Sequence, residues 1–270
     1  MKIEITDLRD GLYPSLRQTL SILQTVLPEN RFQRSSKALQ TAADALGTDV
    51  ETIYDTLVDT TWPRCKVPLI DGHGMFGFPV AYPEFSEIRL SAFCMSITNG
   101  EPILDFNRPL SIPFPYVLVS GTLGYANSIS KIPTHNLGEV IDAAVALMKN
   151  PKIETEELLR YIKGPDLLFG GAIENFEELH DIYESGNGVI KVIVTPKNFS
   201  SASVDDVKDY GIWYEVKTRK VRMKDAFRIE IPYRAFLNNG EQIRFMSLKE
   251  ILLGFIDHWK YTKNLTYEEL

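Results

Sequence analysis

The sequence predicts an α+β fold. Helical periodicity marks residues 14–27, 35–46, 137–149 and 247–262, whereas strand-like segments appear at 188–194 and 226–233, and prolines and glycines break up the stretch between residues 62 and 130. Helices and strands are thus segregated along the chain instead of alternating.

The first helix spans residues 14–27, with Leu16, Leu20, Leu23 and Leu27 on one face and Pro14 where a first turn tolerates proline. A second covers 35–46 behind a Ser35 or Ser36 cap, and Gly47 ends it before Asp49 opens a third that runs to about residue 60. Helix, short glycine turn, helix is the pattern of a helix-turn-helix, a pattern shared by many helix pairs that never touch DNA.

From Trp62 to Ser130 irregular structure with short strands is expected, and Tyr116-Val117-Leu118-Val119 is one of its short apolar runs. Helices follow at 137–149 and at 154–162, the latter capped near Thr155. Strands are expected at 188–194, 212–222 and 226–233, the last two forming a hairpin, and 247–262 closes the pattern as an amphipathic helix.

With 270 residues the chain can bury one large core or two smaller ones. The N-terminus has no apolar signal region and no stretch is apolar enough for a membrane span, so a soluble cytoplasmic protein is expected. Cys65 and Cys94 have neither CxxC nor Cys/His spacing and read as reduced core thiols. The net charge of −7 argues against a strongly basic nucleic-acid protein, but the charge is uneven. Residues 1–40 hold six Lys/Arg against four acids, whereas residues 136–190 hold four against eleven. The basic end is the one that leaves DNA binding open.

Four stretches carry a family resemblance: Arg9-Asp10-Gly11-Leu12-Tyr13-Pro14; Pro68-Leu69-Ile70-Asp71-Gly72-His73-Gly74-Met75-Phe76-Gly77; Ile132-Pro133-Thr134-His135-Asn136-Leu137-Gly138-Glu139-Val140-Ile141-Asp142-Ala143; and Gly164-Pro165-Asp166 with the later Gly170-Gly171 and Ser185-Gly186-Asn187-Gly188. In this order they resemble the A subunits of type IIA DNA topoisomerases, the gyrase and topoisomerase IV family; the third is nearly identical to that family's Ile-Pro-Pro-His-Asn-Leu-Gly-Glu-Val-Ile-Asp-Ala. The resemblance runs over roughly residues 8–194. It implies a winged-helix DNA-gate domain over residues 1–130 and a reduced tower-like region over 131–270, where Ile231-Pro232-Tyr233 and Ser247-Leu248-Lys249-Glu250 are similar to tower landmarks. The coiled coil and exit gate that follow in full subunits lie beyond Leu270, so duplex passage by this chain is not expected.

The resemblance also implies a lost nucleophile. Pro83-Glu84-Phe85-Ser86-Glu87-Ile88-Arg89-Leu90 is similar to the family's Arg-Tyr-Thr-Glu-Ala-Arg-Leu, which puts Phe85 at the DNA-breaking tyrosine and Glu84 at the arginine that stabilises phosphoryl charge. Phenylalanine has no hydroxyl, and a carboxylate repels an incoming phosphate. The family's His-Pro-His-Gly support is missing between Leu46 and Tyr54, and Tyr82 reads as a packed loop tyrosine before it reads as a displaced nucleophile. Tyr125 replaces the isoleucine that wedges into gate DNA and either stacks on a base or covers its own loop. His135 is expected to organise the loop into the helix at Leu137.

Arg9, Arg17, Arg31, Arg34, Lys37 and Arg89 are the remaining DNA-contact candidates. The run Lys217, Arg219, Lys220, Arg222, Lys224 and Arg228 reads equally as a phosphate contact or as a solvated strand edge. His73, His180 and His258 are scattered, and Asp71, Glu87 and Asp166 suggest no metal cluster, so no metal or cofactor is expected in this chain; Mg2+ and ATP would enter only through a Toprim/ATPase B-type partner. Three functions follow: a cleavage-deficient DNA-binding homodimer; an active topoisomerase subunit using another tyrosine with that partner; or an interaction module that regulates a topoisomerase, with the acidic middle imitating or repelling DNA.

Overall fold

The computed structural model describes residues 3–28, 31–58, 65–77, 82–98, 103, 105, 107–123, 128–167, 170–195, 211, 216–221 and 226–263. Among them helices and antiparallel strands are mixed as an α+β fold requires. None of the described helices is long and apolar enough to cross a membrane.

Helix α1 (Pro14–Val26) begins on its proline and buries Leu16, Leu20 and Leu23, as the leucine spacing predicts. Helix α2 (Ser35–Leu46) ends on Gly47 in the left-handed region at φ 64, and Asp49 accepts the backbone N–H of Thr52 at 2.7 Å to open α3 (Val50–Val58). Ser35 is no cap: it lies inside the helix, and its hydroxyl accepts a hydrogen bond from Ser86 at 2.8 Å. Strands β1 (Gln33–Arg34), β2 (Ile70–Gly74) and β3 (Ser86–Leu90) form an antiparallel sheet in the order β1-β3-β2. Its inner side supplies Ile70 and Ile88 to a core shared with Leu16, Leu20, Leu39, Ile53, Leu57 and Tyr116.

Helix α4 (Ala92–Thr98) follows the sheet directly, in a region where only short strands were expected. The apolar run at Tyr116 is another correction: it forms helix α5 (Tyr116–Ser120), every residue of which is buried. A short run buried on all sides has no polar face, so neither periodicity can show in it. Its Tyr116 packs with the first core, whereas Val117 and the residues after it join a second.

That second core is built around α6 (Leu137–Lys149), with Asn136 accepting the N–H of Gly138 at 2.9 Å as its cap. The expected helix at 154–162 shortens to α7 (Thr155–Leu158), and the chain then tightens through N–H bonds from Arg160 to Glu157 O and from Tyr161 to Leu158 O, ahead of Gly164 at φ 125. Glu154 occupies the cap position, and the Thr155 hydroxyl donates to Glu184 instead. Strands β4 (Ala172–Ile173), β5 (Asn187–Val194), β6 (Lys217–Val221) and β7 (Ala226–Arg234) form a sheet in the order β4-β5-β7-β6, with α8 (Leu179–Ser185) packed beside β5. Of the expected 212–222 strand, residues 216–221 are described, and 217–221 pair with β7 as a hairpin. Ile190, Val192 and Val194 on β5 face Ile231, Ile229 and Phe227 on β7 across the register, all buried. A small hairpin, β8 (Phe236–Asn238) and β9 (Ile243–Phe245), precedes α9 (Leu248–Lys263), which packs against α6.

Candidate nucleic-acid interface

The residues that carry the functional question lie on the outer face of the β1-β3-β2 sheet. Side chains alternate along a strand, so Glu87 and Arg89 point outward while Ser86 and Ile88 point into the core, and Phe85 is exposed on the turn that leads into β3. The register sets Asp71 opposite Arg89 and His73 and Arg34 opposite Glu87, which places these five on one face.

Phe85 ends a single 3-10 turn (Pro83–Phe85) that rests against α2 and α3, and the residue is 64% exposed. Pro83 is buried and anchors that turn, while Glu84 and Tyr82 face solvent. The Phe85 carbonyl accepts the N–H of Met75 at 3.1 Å. This contact depends on Gly74, whose φ is +70 and where an added Cβ would meet the Phe85 carbonyl oxygen at 2.7 Å. Gly74→Ala is therefore expected to push the turn away from β2 and to destabilise the protein by about 1–2 kcal/mol. An unchanged urea midpoint would show that the turn gives way without cost.

Arg89 is held in place. Its Nε donates to Asp71 Oδ2 at 2.9 Å, and its guanidinium carbon lies 4.6 Å from the centroid of the Phe32 ring. Phe32 in turn meets the His73 imidazole at a centroid distance of 5.4 Å, and His73 Nδ1 lies 3.3 Å from Glu87 Oε2. Nothing in the sequence marks Phe32, because it stands before α2 in no periodic pattern, and only the register brings it over Arg89.

Arg31, Arg34 and Lys37 are exposed beside this face and make no ion pair among the described residues. Arg9 sits elsewhere, bound to Asp7 at 2.8 Å and packed against Gly240 in the β8–β9 turn. Arg17 is a correction: it is 3% exposed, and its Nε donates to the fully buried Asp10 at 2.6 Å. An arginine committed to a buried carboxylate is not available to phosphate. Tyr125, Arg222 and Lys224 lie outside the described residues. On the exposed strand β6, Lys217 faces Glu230 and Arg219 faces Arg228, which is itself bonded to Glu174.

His135 is wholly buried, with Nδ1 3.2 Å from Leu118 O and Nε2 2.8 Å from the Tyr183 hydroxyl. Burial pushes its pKa down to about 4. A neutral imidazole bonded at both nitrogens joins α5, the start of α6 and α8, which is a packing role.

Comparison with known proteins adds a second line. A family model for the DNA gyrase/topoisomerase IV A subunit matches residues 4–224. The DNA gyrase A subunit of Granulibacter bethesdensis is 34% identical over 212 residues, which is 70% of this chain and 22% of that protein. The DNA topoisomerase 4 A subunit of Synechocystis sp. is 32% identical over 213 residues, 70% of this chain and 23% of that one. The DNA gyrase A subunit of Thermotoga maritima is 31% identical over 252 residues, 85% of this chain and 29% of that protein. The chain thus spans less than a third of the length of these relatives.

Proposed function

The chain belongs to the family of DNA gyrase and topoisomerase IV A subunits, and from that premise we propose that it binds duplex DNA without breaking it. In this reading α1–α3 and the β1-β3-β2 sheet are the winged helix of a DNA gate over residues 1–130, residues 131–270 are a reduced tower, and the working form is a cytoplasmic homodimer. The observation that carries the proposal is Phe85. It stands where the family's tyrosine is expected and is 64% exposed, on a turn that touches β1, and Arg34 of β1, like Arg31 and Lys37 on either side of it in the chain, is exposed and makes no ion pair among the described residues. Such a site offers phosphates a place to bind and offers phosphorus no nucleophile. Glu84 beside it is exposed as well and adds repulsion where a cation would assist cleavage.

The proposal is tested by duplex affinity across a salt series. Binding is expected to weaken steeply with salt, and the combined substitution Arg31→Gln, Arg34→Gln, Lys37→Gln is expected to reduce the log–log slope by about 3. A salt-independent or undetectable interaction with duplex DNA overturns it, and co-purification with a B-type subunit in that case would favour a regulatory interaction module.

Tyr82 favours one competing reading. It is 60% exposed and three residues from Phe85, so its hydroxyl is the rival nucleophile on the same turn. With a Toprim/ATPase B-type subunit, Mg2+ and ATP, we expect no covalent protein–DNA adduct on a denaturing gel. An adduct abolished by Tyr82→Phe would replace binding with cleavage.

A further inference from the structure

We propose that the outer face of the β1-β3-β2 sheet is a stacking platform for unpaired nucleotides, so that this protein holds single-stranded DNA through Phe32 and Phe85. The inference rests on the DNA-binding reading and names the strand form that this site takes.

The face has the composition such a site needs. Phe85 is 64% exposed, Met75 45% and Phe32 36%, although an ordinary sheet face turned to solvent carries polar side chains. Phe32, just before β1, packs with Arg89 and His73, and Phe85 is exposed on the turn that leads into β3 and Glu87. The Arg89 guanidinium is fixed over Phe32 at 4.6 Å and tied to Asp71 at 2.9 Å, so its plane is already ordered before any ligand arrives. Ordered rings and guanidinium planes on an exposed sheet are what unstacked bases pack against.

Charge selects the ligand further. Asp71 is engaged by Arg89 and Glu87 lies against His73, while exposed Glu84 beside Phe85 repels phosphate there, so the phosphates fall to Arg31, Arg34 and Lys37, which make no ion pair among the described residues. An apolar peptide would gain nothing from these three cations. A nucleic-acid strand uses both parts, its bases on the rings and its phosphates on the cations. In paired DNA the base faces are stacked on one another and are not available to the rings, so the rings contribute only where bases are unpaired.

The test is fluorescence anisotropy of the full chain with a labelled oligothymidylate and with a duplex of the same length. Phe32→Leu and Phe85→Leu keep apolar bulk and remove the ring; each is expected to weaken oligothymidylate binding about tenfold more than it weakens duplex binding. Phe85→Trp is expected to restore or exceed the original single-strand affinity. Matched urea midpoints would establish that the variants fold. The platform is overturned if the original protein does not bind oligothymidylate, if the leucine variants bind it as well as the original, or if they lose duplex and single-strand affinity equally. Duplex binding that persists alongside any of these results leaves the DNA-binding reading standing and removes the platform alone, while failure on both substrates removes both.

Discussion

Arg17→Met is expected to destabilise the fold by about 3–5 kcal/mol, because it leaves a buried carboxylate without its counter-charge. Asp10 is wholly buried and accepts four hydrogen bonds: from Arg17 Nε at 2.6 Å, from Arg17 Nη2 at 3.0 Å, and from the backbone N–H groups of Leu12 at 3.1 Å and Leu110 at 2.8 Å. Arg17 also reaches Asp7 Oδ2 at 3.3 Å, and Arg9 holds that same oxygen at 2.8 Å. The network therefore ties the N-terminal segment, α1 and the chain near Leu110 together. Methionine matches the volume of the arginine stem but supplies neither charge nor donor. Urea denaturation measures the loss, and a change under about 1 kcal/mol would mean that Asp10 is protonated or solvated without its partner. Pairing Arg17→Met with Asp10→Asn is expected to recover part of the stability, since the orphaned charge is then gone. Neither variant is expected to change the salt slope of DNA binding, which separates this buried arginine from the exposed cations at Arg31, Arg34 and Lys37.

The second large effect is on pH. His135 titrates at about 4 in the folded protein against 6.5 ordinarily, so the unfolded chain takes up the proton first as pH falls. Its stability contribution is complete above about pH 6.5 and is lost as pH drops towards about 4, by about 3 kcal/mol in total. Desolvation is the main cause, opposed by the backbone oxygens of Leu118 and Pro133 and by the charge of Asp166. His258 is shifted the same way by its own burial and adds to the slope. Stability measured between about pH 7 and pH 4.5 is expected to fall more steeply for the original protein than for His135→Asn. Equal slopes would place the acid sensitivity elsewhere, for instance in carboxylates such as Glu250, which Arg244 holds below its usual range.

Most of the long elements were legible in the sequence because their signals are local. The leucine spacing of α1, the Gly47 stop, the Asp49 start and the alternation of β5 and β7 each depend on neighbours a few residues away, and all recur in the structure. The elements that were missed or misread are short or buried on every side. Helix α5 has no polar face, α4 and α8 have only seven residues each, and α7 keeps one turn before the backbone tightens.

The candidate site divides in the same way. Phe85 and Glu84 were visible in the sequence, because a resemblance of motif order needs only the chain itself. Arg17 was misjudged because a basic residue on an amphipathic helix gives no local sign of whether a carboxylate waits inside; Asp10 lies only seven positions away, but the pairing exists through the fold. Phe32, Asp71 and His73 acquire meaning only from the antiparallel register, which brings Asp71, His73, Glu87 and Arg89 onto one face, where Phe32 meets Arg89 and His73. By itself, then, the sequence determined the family and the α+β class. Which cations stay exposed, and which rings share a surface, was decided only by the tertiary structure, since burial and cross-strand pairing are relations between segments distant in the chain.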